Sequence, residues 1–462
     1  MASPIPTTPA AGSLAERVRA AGVVGAGGGG FPTHVKLAGR ADTVIANGAE
    51  CEPLLHKDAA CMEHDAPALV EGLLRCMEAV GAAAGVIGVK AKNVEAVEAV
   101  RAAAAGTPVR LQLLGDYYPA GDEYDLVHEV TGRLIPPAGL PLDVGVVVAN
   151  VETLVNVAAA FAGRPVTHKL VTIAGAVGSP ATFRVPVGTS LREVVALAGG
   201  ATVADPVLAV GGLMMGTTSD DLDQPVTKTT GGAIVLPRTH PVVQRKLYPG
   251  SAGAGSSAVA PKVAMARIGK SACDQCRYCT ELCPRYLLGY AVEPHQVMRS
   301  LAFTATGAPT FSTLAQLCCA CGLCTLYACP EALFPKEACD DAKVELRKAA
   351  VQPDRSRAVK VHPMRDGRRV PMKGLMRKLG VTEYDHAAPL SAATVSPREL
   401  RLPLKQGAGA ANQPVVRAGE RVHAGQVLGG LPGDALGALI HAPCDATVTA
   451  VGEGHIVLSR EG

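Results

Sequence analysis

Residues 273–284 read CDQCRYCTELCP, and residues 318–330 read CCACGLCTLYACP. In the first run Cys273, Cys276 and Cys279 are each separated by two residues, and Cys283 precedes Pro284. In the second, Cys318, Cys321 and Cys324 keep that spacing, and Cys329 precedes Pro330 after one extra residue. Three thiolates so spaced wrap a tight loop around one corner of an inorganic cluster, and a fourth ahead of proline completes a ligand set. In paired-cluster chains the fourth cysteine usually ligates the other cluster. The spacing therefore predicts Cys273, Cys276, Cys279 and Cys329 on one [4Fe–4S] cluster, and Cys318, Cys321, Cys324 and Cys283 on a second. Structural zinc also uses Cys-x2-Cys pairs. Four cysteines compressed ahead of a proline, twice over, suit clusters better. Cys319 breaks the rhythm and reads as packing or as an alternative register in which it substitutes as a ligand. Cys51, Cys61, Cys76, Cys339 and Cys444 stand alone and read as small buried apolar side chains.

The rest of the composition narrows the class. The chain has 462 residues, enough for about two to four domains at ~100–200 residues each. Its 14 cysteines do not suggest a secreted disulfide scaffold, which would be short. The opening MASPIPTTPAAGSLAERVRAAG lacks the basic and apolar regions of a signal peptide. No run reaches the ~18 apolar residues of a membrane span. Reduced thiols in the cytoplasm are the expectation. A net charge of +3 with no basic run excludes a dedicated nucleic-acid binder, and 3% aromatics without tryptophan exclude a single-strand stacking platform. Hydrophobic residues at 48% support a sizeable core and rule out global disorder.

N-terminal to the cysteine region the pattern is α/β. Gly85–Lys90, Val109–Leu114 and Val144–Ala149 read as short apolar strands, and Asn93–Ala104 as a helix capped by Asn93. Strands alternating with helices predict a parallel sheet covered by helices. His168 to Gly216 reads as a hairpin, one helix (Leu191–Ala198) and a further strand, a small β-grasp-like module. Pro249–Pro261 reads as a linker, Gln352–Leu400 as extended chain, Arg365–Arg377 as a solvated basic face, and Met214–Met215 as core packing. Arg401–Leu458 reads as short β segments between glycine turns.

A glycine loop, GAGGGGFPTHVK (25–36), lets backbone N–H groups approach a phosphate or flat ring closely. It is followed by VIANGAECEP (44–53), YYPAGDEYD (117–125) and VVVANVETL (146–154). In this order the four segments resemble one family. It comprises the flavin-carrying NADH-binding subunit of respiratory complex I, the C subunit of the Rnf electron-transport complex, and the propanediol-utilisation cobalamin reductase of bacterial microcompartments. Residues 402–430 and 440–451 resemble the barrel-sandwich domain of Rnf C subunits, but here they lie C-terminally, as in the cobalamin-reductase branch.

The resemblance implies an α/β multidomain fold. Residues 1–165 would form a Rossmann-like flavin and NADH-binding domain, 166–248 a β-grasp (SLBB) module, and 255–350 a helical, ferredoxin-like domain with two [4Fe–4S] clusters. Residues 351–398 would be an extended linker and 399–462 a β barrel-sandwich hybrid. Residue by residue, it implies a flavin loop at Gly25, Gly27, Gly28 and Gly30, with Lys36 near the flavin phosphate or ring. It implies a flavin contact at Asn47, flavin-side acids at Glu50 and Glu52, and a Gly–acid–acid turn at Gly121, Asp122 and Glu123. Asn150, Glu152 and Thr153 fall on the family's Asn-Val-Glu-Thr, and Phe31 would flank the nicotinamide. Ala49 stands where the complex I pattern has Asp. His34 reads as an exposed neighbour of the loop. No catalytic residue is assigned beyond the cofactors.

Those cofactors are FMN and two clusters, with NADH as electron donor. FMN accepts a hydride and releases electrons singly, which clusters require, so the ensemble reads as a two-to-one electron converter. The branch implies cobalamin as acceptor and cobalamin, or a cobalamin-handling adenosyltransferase, as partner. It also implies shell proteins as partners and a location in or on a microcompartment. Competing readings are an electron relay or NAD-recycling module without corrinoid specificity, a soluble Rnf-type subunit, and a scaffold. The missing N-terminal barrel-sandwich domain counts against the Rnf-type subunit, and eight spaced cluster ligands count against the scaffold. The C-terminal domain resembles biotinyl and lipoyl carriers but has no lysine at its hairpin tips. A docking role is expected, with flavin and clusters unaffected by its removal after Leu400.

Overall fold

A computed structural model of the protein describes residues 12–247, 271–302 and 312–460; the linker expected at 249–261 lies outside them. The first domain is built on four parallel strands, β1 (Thr43–Gly48), β2 (Ala84–Lys90), β3 (Val109–Leu114) and a fourth at Val146–Asn150. Their order, β3-β2-β1 and then Val146–Asn150, puts Thr43–Gly48 in the centre. That central strand is almost wholly buried because helices cover both faces of the sheet. Helices Ala66–Val80 and Val151–Phe161 pack on one face, and Glu123–Thr131 lies against the other. The helix at Val94–Ala104 starts after Asn93 as expected, but the Asn93 side chain makes no capping bond. The third predicted strand begins later, at Val146, because Pro141–Val144 forms a 3₁₀ turn.

The second domain holds a five-stranded mixed sheet, with the hairpin His168–Gly175/Ala181–Pro186 at one side. Its helix, Leu191–Leu197, opens on a capping box in which Ser190 and Glu193 satisfy each other's backbone N–H groups. The C-terminal domain folds as two small antiparallel sheets, one four-stranded and one three-stranded, around a core of its own.

Two expectations for residues 351–398 are corrected. The segment is not extended throughout: Val370–Pro371 pairs with Tyr117–Tyr118, and Met372–Leu379 is a helix. Met372, Leu375, Met376 and Leu379 of that helix are buried against the second domain and the second cysteine run, an apolar spacing of three and four residues. Nor is Arg365–Arg377 a solvated face. Arg365 is 6% exposed and pairs with Asp125 at 2.6 Å and Glu129 at 2.7 Å. Arg369 also pairs with Glu129, and Arg368 with Glu281. These arginines join the helix Glu123–Thr131 to the first cysteine run.

Candidate functional site

A cavity of about 790 Å³ opens at the carboxyl ends of β1 and of the edge strand beside it, Val146–Asn150. Asn47 lies one residue from the end of β1 and pairs across to Asn150, which ends the strand Val146–Asn150. The chain passes from β1 outward to β2 and β3 and then returns to the other side of β1. Its topological switch therefore lies between these two asparagines, where open α/β sheets bind ligands.

Gly27, Gly28 and Gly29 form one wall; no atom lies within 4 Å of where a Cβ would sit on Gly28 or Gly29. Asn47 donates to the Gly121 carbonyl at 3.0 Å and accepts the Ala49 N–H at 3.1 Å. Asn150 caps the helix Val151–Phe161 and donates to Asp58 at 2.8 Å. Asp122 caps the helix Glu123–Thr131 and pairs with Arg285 at 2.9 Å. Glu50, Glu52, Gly121, Asp122 and Glu123 complete this side of the cavity. Burial and the nearby Asp58 carboxylate raise Glu50 to about 7. Burial also raises Glu52, which accepts the N–H groups of Met214 and Met215 at 2.8 and 2.7 Å. A side chain at Gly212 would meet the Glu52 carboxyl at 2.4 Å, so glycine permits this clamp between the first two domains.

The other residues implied by resemblance stand behind the wall. Lys36 donates to Glu123 at 3.3 Å and to the Val148 carbonyl at 2.9 Å. Thr153 accepts the Ala26 N–H at 2.9 Å and so fixes the glycine loop. Glu152 is buried against Lys169 and Lys57. Gly25 and Phe31 are joined by a backbone bond at the base of the loop, and half-buried His34 lies beside it. Gly30, at φ +60, faces away: a Cβ there would come within 2.6 Å of Gly407 and 2.8 Å of Thr229.

The C-terminal domain is therefore a buttress of the loop. The Ala408 N–H donates to the Gly30 carbonyl at 3.0 Å. Buried Lys228 ties the Gly22 and Leu439 carbonyls at 2.7 and 2.6 Å. The expectation that its removal leaves the flavin site intact is withdrawn on these contacts.

Several wall residues carried no signal in the sequence. Asp58 lies in a helix without a motif, and Thr227, Thr229 and Thr230 come from the second domain. Met215, read as core, is 56% exposed and lines the cavity, whereas Met214 is buried. The far wall is made by Cys319 and Cys321. The Tyr118 hydroxyl donates to the Cys321 carbonyl at 2.7 Å and pins that wall to the first domain.

Cys273, Cys276, Cys279 and Cys329 line one pocket together. Cys283, Cys318, Cys321 and Cys324 neighbour one another in a second group that also takes in Cys319, beside Cys321, and Cys339, beside Cys318; Cys324 also lies near Cys279. Among the described residues, no three His, Cys, Asp or Glu side chains converge on a point as ligands of a single ion would. Four thiols around one pocket, and a second gathering of thiols next to it, supply the donors that two polynuclear clusters need.

The backbone of the two runs follows one register. Gln275 and Arg277 have φ of 63° and 71°, and Ala320 and Gly322 have 57° and 82°. Left-handed residues thus stand two and four places after Cys273 in one run and after Cys318 in the other. Cys318 is the counterpart of Cys273, and Cys319 that of Asp274. The Ala320 N–H points at the Cys318 sulfur at 3.3 Å. The extra residue before Cys329 is absorbed by a π-helical turn, Cys324–Ala328.

Fold and site together define a flavin and iron–sulfur electron-transfer protein. Residues 18–159 match the Nuo51 FMN-binding domain, 170–218 the SLBB domain, 272–334 the 4Fe-4S dicluster domain, and 382–461 the RnfC barrel sandwich hybrid domain. The chain is 43% identical to the cobalamin reductase PduS of Salmonella typhimurium over 97% of both chains. It is 41% identical to the cobalamin reductase PduS of Citrobacter freundii, over 97% of this chain and 96% of that one. It belongs to this cobalamin reductase family. A more distant relative is the C subunit of the Na(+)-translocating ferredoxin:NAD(+) oxidoreductase complex of Acetobacterium woodii. That protein is 39% identical over 49% of this chain and 53% of its own. Among the described residues no helix is long and apolar enough to cross a membrane.

Proposed function

We propose that the protein is an NADH-dependent cobalamin reductase that takes a hydride in the 790 Å³ cavity and sends electrons singly through two clusters to a corrinoid. The observation that carries this reading is the shared wall: the cavity that begins at the glycine loop ends at Cys319 and Cys321. Bound FMN would supply the conversion between a two-electron hydride and single electrons. Gly27, Gly28 and Gly29 would offer backbone N–H groups to its phosphate, and Asn47, Gly121 and Asn150 would hold its ring and hydroxyls. Cys283, Cys318, Cys321 and Cys324 would hold the cluster beside the cavity. Cys273, Cys276, Cys279 and Cys329 would hold the outer one.

Cys324 and Cys279 bring the two groups together, and Cys276 reaches the surface. Electrons therefore enter at the glycine loop and leave at the Cys276 edge. The acceptor there is cobalamin, free or presented by an adenosyltransferase. The same branch resemblance supports shell-protein partners and a place in a microcompartment.

The test is anaerobic. Purified protein should show flavin and iron–sulfur absorbance, both should bleach on NADH, and aquacobalamin should restore them. Protein with clusters but no flavin, inert to NADH, would be a ferredoxin-like relay and would refute the proposal.

A further inference from the structure

Oxidation of NADH yields NAD⁺, two electrons and one proton. The clusters carry electrons alone, so each turnover leaves one proton in the cavity that needs its own way out.

Behind the cavity lies a second, smaller one of about 60 Å³, room for more than one water molecule at ~10–15 Å³ each. Glu50 and Glu52 line both cavities. Glu52 is committed to the Met214 and Met215 N–H groups, whereas among the described residues Glu50 accepts only a long contact, 3.4 Å, from the Glu52 N–H. Glu50 is thus the carboxyl that stands in the partition with its oxygens free to change partner. The small cavity is also lined by His56, Lys90, Lys92 and Asp385. The Lys92 side chain is 50% exposed and Asp385 is exposed, so this end meets solvent.

We propose, resting on the NADH oxidation argued above, that Glu50 is the proton relay of the protein, taking the proton from the flavin cavity and passing it through the small cavity to solvent. Its carboxylate gains an O–H bond as the proton leaves its carrier in the cavity, and loses that bond to a water on the far side. No other reactant is needed.

The charges around Glu50 suit the task. Asp58 and Glu52 raise its proton affinity, Lys57 lowers it, and burial adds the largest increment, for a value of about 7. A relay works best near the ambient pH. Lys90 and Lys92 on the exit side are held by Asp116 at 2.9 and 3.0 Å, and burial keeps His56 below its ordinary value. These groups favour onward release from Glu50 to water.

Two variants test this. Glu50→Gln keeps the shape and cannot carry the proton, and Ala59→Leu fills the small cavity from its lining without touching the large one. In both, stopped-flow bleaching of the clusters by NADH at pH 7 should slow roughly a hundredfold, with flavin content retained. Glu50→Asp should restore part of the rate. Independently of turnover, infrared spectra of the flavin-free protein should show a carboxyl band titrating near pH 7 that Glu50→Gln removes. Wild-type rates and pH profile in Glu50→Gln would overturn the relay. Should Glu50→Gln fail to fold, an unslowed Ala59→Leu would overturn it equally. A wild-type protein inert to NADH would instead defeat the flavin reading itself.

Discussion

Replacing Glu152 by glutamine removes one charge from a buried group of four: Lys57, Asp58, Glu152 and Lys169, each below 5% exposed. Glu152 accepts from Lys169, lies 3.6 Å from the Lys57 ammonium, and accepts the Leu170 N–H at 2.9 Å. After the change Lys57 retains Asp58, but Lys169 faces a neutral amide and the Leu170 carbonyl at 3.3 Å in place of a carboxylate. Removing one partner of a buried pair costs about 3–5 kcal/mol, because the remaining charge stays desolvated. At roughly 2–4 °C per kcal/mol, the apparent melting temperature should fall by roughly 6–20 °C.

Lysine pairing, chiefly with Lys169, outweighs burial and holds the Glu152 carboxyl below its ordinary value. Its contribution is therefore complete above the ordinary carboxylate range and is lost as pH falls below about 4. Glu152→Gln should lack that acid-side decline. The assay is calorimetry from pH 3 to 8, with flavin content measured on the folded fraction, which should be unchanged. A melting temperature within about 2 °C of wild type, together with weakened flavin binding, would show that Glu152 serves the cofactor and not the junction.

Three further outcomes follow from the geometry. Cys318→Ser should lower iron from roughly eight atoms per chain to roughly four, whereas Cys319→Ser should leave it unchanged; iron analysis with EPR decides, and the reverse result would shift the register. A chain ending at Leu400 should keep its iron but bind FMN at least about tenfold more weakly, measured by fluorescence titration, because Gly30 loses Gly407 and Ala408. Among the described residues Lys228 has no carboxylate partner, and burial lowers it to about 7. Its unfolded form binds more protons between about pH 7 and its ordinary value near 10, so stability should rise across that window. Lys228→Met should flatten the rise in urea titrations.

The cysteine spacing already predicted two ligand sets and their exchange of fourth members, because a cluster ligand loop is short and its periodicity is local. The strands Gly85–Lys90 and Val109–Leu114 were legible for a similar reason: a run of apolar residues between polar turns identifies itself. The central strand Thr43–Gly48 was not. Its segment drew notice for Asn47, Glu50 and Glu52, and its strand character depends on pairing with β2 and Val146–Asn150. The buried helix Met372–Leu379 was hidden by the prolines and arginines around it, and two of those arginines, Arg365 and Arg369, find partners more than two hundred positions away.

By itself, then, the sequence determined the chemistry: which thiols, which glycine loop, which order of modules. The tertiary structure decided the assignment of that chemistry to places. It divided Glu50, open to two cavities, from Glu52, clamped to the second domain, and from Glu152, sealed between lysines. It put Cys319 on the cavity wall and left-handed backbone at Ala320 and Gly322, two and four places after Cys318. It also turned Gly30 toward the C-terminal domain. Such choices depend on what lies opposite a residue after folding, and spacing along the chain does not encode that.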